Sequence, residues 1–233
     1  MAINKQTLKT RALTALIFVL VMFAGLFIHE WGFIALFTII MLGCLYEFTK
    51  ILRLINAKKY FLYLPLALIY IVLPLLLFID MGVHAARYFH KPAGYLTAYS
   101  ALLPCAIIFS LWINDTMAYL VGSMIGKTPF SKISPKKTWE GTIGGALLSV
   151  VSMALLGPIT SSGKWISWQH WASIAAICAL FGTLGDLLES KLKRMANIKD
   201  SGKIMPGHGG FLDRFDSLLV ATPFVWIYIR AFL

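Results

Sequence analysis

The sequence predicts an all-α fold: a polytopic integral membrane helix bundle of about seven transmembrane spans, with its N-terminus cytoplasmic. Three observations carry that expectation. The 233 residues are 59% hydrophobic and only 13% charged, with a mean hydropathy of +0.77, whereas a soluble domain carries about 25% charge. The apolar residues gather into long runs, several near the ~20 residues that a helix needs to cross a bilayer. The basic residues are also unevenly placed. With the N-terminus inside, all of the 21 lysines and arginines except Arg87, Lys91, Lys164 and Arg230 fall on the cytoplasmic side, as the positive-inside rule requires.

Taken in order, a polar start with Lys5, Lys9 and Arg11 precedes an apolar run from Ala12 to Ile28. No small-x-small cleavage site closes that run, so it reads as a retained first span and not as a secretory signal. The second span runs from Trp31 to about Thr49 and is followed at once by Lys50, Arg53, Lys58 and Lys59. The third covers about Tyr60 to Ile79, and its Pro65 and Pro74 kink a membrane helix without abolishing it. A mixed polar loop, 80–92, leads to a stretch from about Tyr95 to Ile125 that is too long for one straight span. With Pro104 inside it, that stretch reads either as one kinked helix or as two short segments. A hydrophilic loop, 127–141, separates it from a fifth span, Thr142 to about Ile159. The sixth runs from about Trp171 to Leu188 and the seventh from about Phe215 to the C-terminus. Residues 1–111 are thus N-terminal spans. Residues 112–233 form the remaining membrane region, with cytoplasmic loops 127–141 and 189–214.

The chemistry concentrates in residues 186–216. Five of the ten acidic residues are there (Asp186, Glu189, Asp200, Asp213 and Asp216), with Lys191, Lys193, Arg194, Lys199, Lys203 and Arg214, and with a turn reading Pro206-Gly207-His208-Gly209-Gly210. Asp186, Glu189 and Ser190 share one helix face at i, i+3 and i+4, as do Asp213 and Asp216 at i, i+3. Glycines let backbone N–H groups approach an anion, and carboxylate oxygens suit Mg²⁺, which completes its shell with substrate phosphates. Two further groups join this stretch. Asp115, four residues before Tyr119, is a carboxylate inside a span, which is costly and marks function by default. Ser134, Lys136, Lys137 and Thr138 precede a helix and offer a phosphate grip. Cys44, Cys105 and Cys178 lie singly in apolar runs and form no metal or disulfide pattern. His29, His84, His90 and His170 lack ligand spacing. The net charge of +11 points to anionic membrane lipids and nucleotide phosphate as partners and not to nucleic acid.

Ser190-x-Leu192-Lys193-Arg194, then Lys199-Asp200-x-Gly202, then Pro206-x-His208-Gly209-Gly210-Phe211-x-Asp213-Arg214-Phe215-Asp216 resembles the signature of the phosphatidate cytidylyltransferase family. Met205 departs from the pattern by a like-sized apolar exchange. Trp112 to Tyr119, Ser134 to Gly141 and Gly185 to Ser190 resemble family elements that precede the signature. The resemblance implies an enzyme that makes CDP-diacylglycerol and pyrophosphate from CTP and phosphatidate, with Mg²⁺ as cofactor and room for two metal ions. That reading makes 112–233 the catalytic membrane region and takes Asp186 and Asp213 as metal ligands. It places Asp115, Glu189, Asp200 and Asp216 around them, with His208 ordering the glycine turn or touching substrate. Lys136, Lys137, Lys193, Arg194, Lys199 and Arg214 would meet triphosphate or lipid phosphate beside Ser134, Thr138, Gly209 and Gly210. Acyl-chain preference, cytosine selection and oligomeric state, including a homodimer, stay open. So do two other classes: a CTP- or ATP-dependent polyprenol or lipid kinase, and a transporter of an anionic solute.

Overall fold

The computed structural model describes residues 5–88, 99–131, 133–160, 163–204 and 209–233. Among these residues seven α-helices follow one another: α1 (Lys5–Phe27), α2 (Glu30–Ile55), α3 (Leu73–Val83), α4 (Leu102–Ile125), α5 (Trp139–Leu156), α6 (Trp168–Met195) and α7 (Leu212–Phe232). Among the described residues, six helical segments are long and apolar enough to cross a membrane. They are Glu30–Ile55, Tyr60–Val83, Leu102–Ile125, Trp139–Ile159, Trp168–Met195 and Leu212–Phe232. The expected first span is helical too, but its apolar part, Ala12–Phe27, is shorter than these six. The protein is therefore an all-α, multi-pass membrane bundle.

Local chemistry sets where each helix starts and stops. The segment before α3 is a 3₁₀ turn at Tyr60–Tyr63 and a π stretch at Leu68–Val72. Pro74, in the first turn of α3, has no N–H to give to the carbonyl four residues earlier, and a π turn accommodates that loss. Residues 95–98 of the long 95–125 stretch lie outside the described residues; within 99–125 a single helix starts at Leu102, so Pro104 sits in its first turn, where a missing N–H costs nothing. The sixth helix runs seven residues past its expected end, to Met195, and carries Lys193 and Arg194 in its last turn, where cations suit the helix dipole. The seventh starts at Leu212 and not at Phe215. The expected loop 189–214 therefore contracts to 196–211. Glu189, Lys193 and Arg194 sit on α6, and Asp213 and Arg214 on α7.

Helix α4 packs along α5 and α6 along α7, with α5 against α6 closing the group; α3 lies on α7, and α1 on α2. An aromatic centre holds the N-terminal half to α7: Phe33, Phe37 and Phe78 are fully buried. Ring centroids lie 4.6 Å apart for Phe37–Phe78 and 6.4 Å apart for Phe37–Phe215. Outward-facing side chains such as Ile69, Leu147 and Leu155 are exposed, which suits lipid and would be a liability in water. At the opposite end from the acidic stretch, Asp80 of α3 accepts hydrogen bonds from Tyr88 and from His84 Nδ1 (2.8 Å). Trp226 Nε1 of α7 donates to the Tyr88 hydroxyl at 2.9 Å. The ends of α3 and α7 are thus tied at one face, and the other ends of α6 and α7 are free to build a site.

Candidate active site

Helices α6 and α7 meet backbone to backbone where the acidic residues lie. Gly185 makes this possible, since a β-carbon there would stand 2.5 Å from Asp216 O and 3.0 Å from Ser217 Cα. The next residue, Asp186, is consequently beside Asp216, and one turn further along α6 lies Glu189. Carboxylate oxygens of Asp186, Glu189 and Asp216 all fall within 4.8 Å of one another. Glu189 has no exposed surface, and Asp216 is also buried. Each close pair of such charges costs about 3–4 kcal/mol at an effective dielectric constant near 20, so facing cations or bound protons must offset them.

Two lysines do. Lys137, from the loop before α5, forms an ion pair with Asp186. Lys193 bridges two helices: its Nζ lies 2.5 Å from Glu189 Oε2 and 2.6 Å from Asp213 Oδ1. That proximity does not satisfy Glu189, because neither of its oxygens accepts a well-directed hydrogen bond. A buried carboxylate left in this state, beside two more, fits a metal ion of oxygen-seeking type.

The basic loop forms the opposite wall. Phe130 N donates to Lys137 O at 2.7 Å and Trp139 N to Thr128 O at 3.0 Å, closing a short hairpin-like turn. Glu140 pins its base by accepting from the Thr128 hydroxyl at 2.8 Å. Thr138 caps α5, its Oγ1 accepting from Gly141 N at 3.2 Å. Ser134, Lys136, Lys137 and Thr138 then line a cavity of about 450 Å³ with Asp115 and Asp186. A smaller cavity of about 150 Å³, lined by Asp115, Asp213, Arg214 and Asp216, lies behind it. Asp115 borders both.

The described parts of the loop 196–211 are tied to the cluster by Asp213. Its Oδ2 accepts from Ser201 N and Gly210 N, each at 2.8 Å, and from Ser201 Oγ at 2.9 Å. Gly209 has φ +86 and its missing β-carbon leaves room for the Asp213 carboxylate, so glycine is needed there.

The geometry therefore joins a cation-lined, hydroxyl-lined cavity to an acidic pocket. A profile of the "Cytidylyltransferase family" matches residues 75–232. The chain belongs to that family. Among similar proteins, the "Phosphatidate cytidylyltransferase" of Bacillus subtilis is 41% identical over 129 residues, 55% of this chain and 46% of the relative. That of Staphylococcus aureus is 46% identical over 122 residues, 51% of this chain and 45% of the relative. That of Synechocystis is 40% identical over 136 residues, 56% of this chain and 44% of the relative. The chain thus matches a little under half the length of these curated relatives.

In this chain, the two carboxylates that the sequence pairs as metal ligands are divided. Asp186 joins Glu189 and Asp216, while Asp213 has both oxygens taken by Lys193, Ser201 and Gly210. The difference arises because α6 touches α7 at Asp216–Ser217, one helical turn beyond Asp213. Arg194 donates to Ile198 O at 3.2 Å, and so closes its own helix end and does not face the pocket. Lys199 and Asp200 are exposed on the loop. His208 lies outside the described residues. Sequence reasoning passed over Glu47, a buried residue of α2, which accepts hydrogen bonds from the far side of this same loop.

Proposed function

We propose that this protein transfers CMP from CTP to phosphatidate at the cytoplasmic face of the inner membrane, giving CDP-diacylglycerol and pyrophosphate. The carrying observation is the contact between the two halves of the site. Lys137 of the basic cavity pairs with Asp186 of the acidic pocket, so phosphate groups bound by the first lie against whatever cation the second holds. The relatives, named for cytidylyl transfer to phosphatidate, support the same substrates.

In this reading a phosphate oxygen of phosphatidate attacks the α-phosphorus of CTP, and the bond from that phosphorus to the oxygen bridging the β-phosphate breaks. Phosphatidate arrives ionised, so no side chain need remove a proton to make the nucleophile. The protein's task is positioning and charge neutralisation. Asp186, Glu189 and Asp216 would hold Mg²⁺, which when bound supplies charge neutralisation on the phosphates and orients them. Lys136 and Lys137 hold the triphosphate, Ser134 adds a hydroxyl, and Thr138 fixes the end of α5. Asp115 closes the wall between the two cavities. Asp213 orders the loop and shares Lys193 with Glu189.

Incubating the purified protein with phosphatidate and CTP labelled in its phosphates tests the reaction. Labelled pyrophosphate and a CDP-lipid are expected in equal amounts. A lipid kinase would instead release CDP and leave a phosphorylated lipid, and a transporter would do neither; both results overturn the proposal.

The two cavity lysines are expected to differ. Lys136 is exposed and pairs with no carboxylate among the described residues, so Lys136→Ala should raise KM for CTP with little change in kcat. The loss corresponds to about 1–3 kcal/mol for one charge-assisted contact. Lys137→Ala should raise KM and lower kcat as well, because it also frees Asp186. Steady-state kinetics with CTP as the varied substrate separate the two. Wild-type constants in both variants would return the loop to a solvated surface.

A further inference from the structure

A carboxylate from outside the family-matched segment reaches into the loop that orders this site. Glu47 lies on α2, ahead of residue 75 where the match begins, and is only 4% exposed. A charged group inside a membrane helix is expensive and stays only where it has partners and a use. Glu47 has three partners, all of them donors. Its Oε2 accepts from Ser201 Oγ at 2.7 Å and from Leu212 N at 2.9 Å, and its Oε1 accepts from Phe211 N at 3.1 Å. Two of these are backbone N–H groups at the start of α7, where an anion also meets the positive end of the helix dipole. Gly202 and Gly210 sit against the same carboxylate, with no room for a β-carbon at either.

Ser201 carries the connection onward. Its hydroxyl is in reach of Glu47 Oε2 and of Asp213 Oδ2, at 2.7 and 2.9 Å, and it has one proton for two carboxylates. From Asp213 the chain of contacts continues through Lys193 to Glu189. We propose that Glu47 is a positioning residue of the cytidylyl transfer. It clamps the first turn of α7 to Ser201, with Gly202 and Gly210 against its carboxylate, and thereby sets Asp213 and Asp216 against α6. The proposal rests on the transferase reading for its catalytic consequence, but the clamp itself can be read without any substrate.

Glu47→Gln tests it. Glutamine is nearly isosteric, yet it turns one acceptor oxygen into an NH₂ that must face a backbone N–H or the serine hydroxyl. The variant protein, purified in detergent, should lose kcat by about 10²-fold, the cost of a misplacement near 1 Å, while KM for CTP stays within about threefold because the hydrogen bonds of Glu47 run to Ser201, Phe211 and Leu212 and not to the cavity residues Ser134, Lys136, Lys137 and Thr138. Trypsin should cut after the exposed Lys199 and Lys203 several-fold faster, by about the ratio that a weakened local closure allows. Ser201→Ala should move both readouts the same way, and the double variant should be little worse than Glu47→Gln alone, since the two act as one unit. Wild-type kcat and wild-type cleavage in Glu47→Gln would overturn the proposal. So would a lower activity that tracks only the fraction of folded protein, with kcat per folded molecule unchanged. If the wild type makes no CDP-lipid, the transferase reading fails, and the cleavage rates still decide whether Glu47 holds the loop.

Discussion

Asp186→Asn is expected to reduce turnover by about a thousandfold or more, the scale seen when a preorganised electrostatic contact to a reacting group is lost. The amide is almost the same shape, so packing of α6 on α7 should survive. What changes is charge: Asp186 is the one carboxylate of the acidic group that also lines the larger cavity, and it is the partner of Lys137. Asparagine offers a cation one neutral oxygen and leaves Lys137 without its anion. Asp216→Asn should fall nearly as far, and the double variant should be little worse than either single one, because ligands of one ion act together. Chelation with EDTA should silence the wild type, and Mg²⁺ or Mn²⁺ should restore it. Turnover near wild type in either asparagine variant, at normal membrane expression and saturating Mg²⁺, would take that residue out of the site. Asp213→Asn distinguishes two versions of the site. If Asp213 orders the loop and does not hold the ion, its variant should lose activity with the half-saturating Mg²⁺ concentration little changed, whereas Asp186→Asn should raise that concentration sharply.

Hydropathy made the bundle legible and blurred its edges for the same physical reason. A bilayer demands apolar length, so each crossing helix announces its middle, but a helix that continues into water is written in charged residues. Lys191, Lys193 and Arg194 are good helix formers, and they carry α6 to Met195, beyond any apolar signal. The residues of the basic cavity were readable because they are close together in sequence and sit directly before a helix. The acidic group was readable only in part. Spacing shows which carboxylates share a face of their own helix, and Asp186 with Glu189 is such a pair. It does not show which turn of the neighbouring helix they meet. That is settled by Gly185 on Asp216–Ser217, a contact between residues more than thirty apart in the chain. Glu47 was visible as a carboxylate near the end of an apolar run, a signal that the cost of burying charge in a membrane makes strong. Its partners lie 154 to 165 residues away, and no local pattern points to them.

Lys193→Met is expected to cost the protein both stability and activity, and the reason lies in the different company of its two partners. Asp213 keeps its two backbone hydrogen bonds, from Ser201 N and Gly210 N, and the Ser201 hydroxyl that it shares with Glu47 when the ammonium is removed. Glu189 keeps none, since Lys193 is its only cationic contact among the described residues and neither of its oxygens accepts a well-directed bond. Removing one partner of a buried pair strands the other at a cost of about 3–5 kcal/mol, so Lys193→Met in the absence of a divalent ion should melt well below the wild type in detergent. Added Mg²⁺ should recover part of that difference by binding at Asp186, Glu189 and Asp216. A second substitution separates charge from shape. Lys193→Met with Glu189→Gln removes the stranded anion and should regain most of the lost stability without Mg²⁺, yet remain inactive, while Lys193→Met with Asp213→Asn should regain little. Thermal melts of the three variants with and without Mg²⁺, beside their turnover, make the comparison. Equal rescue by the two second substitutions would show that Lys193 serves Asp213 as much as Glu189, and full activity in Lys193→Met with Glu189→Gln would remove both residues from the catalytic pocket.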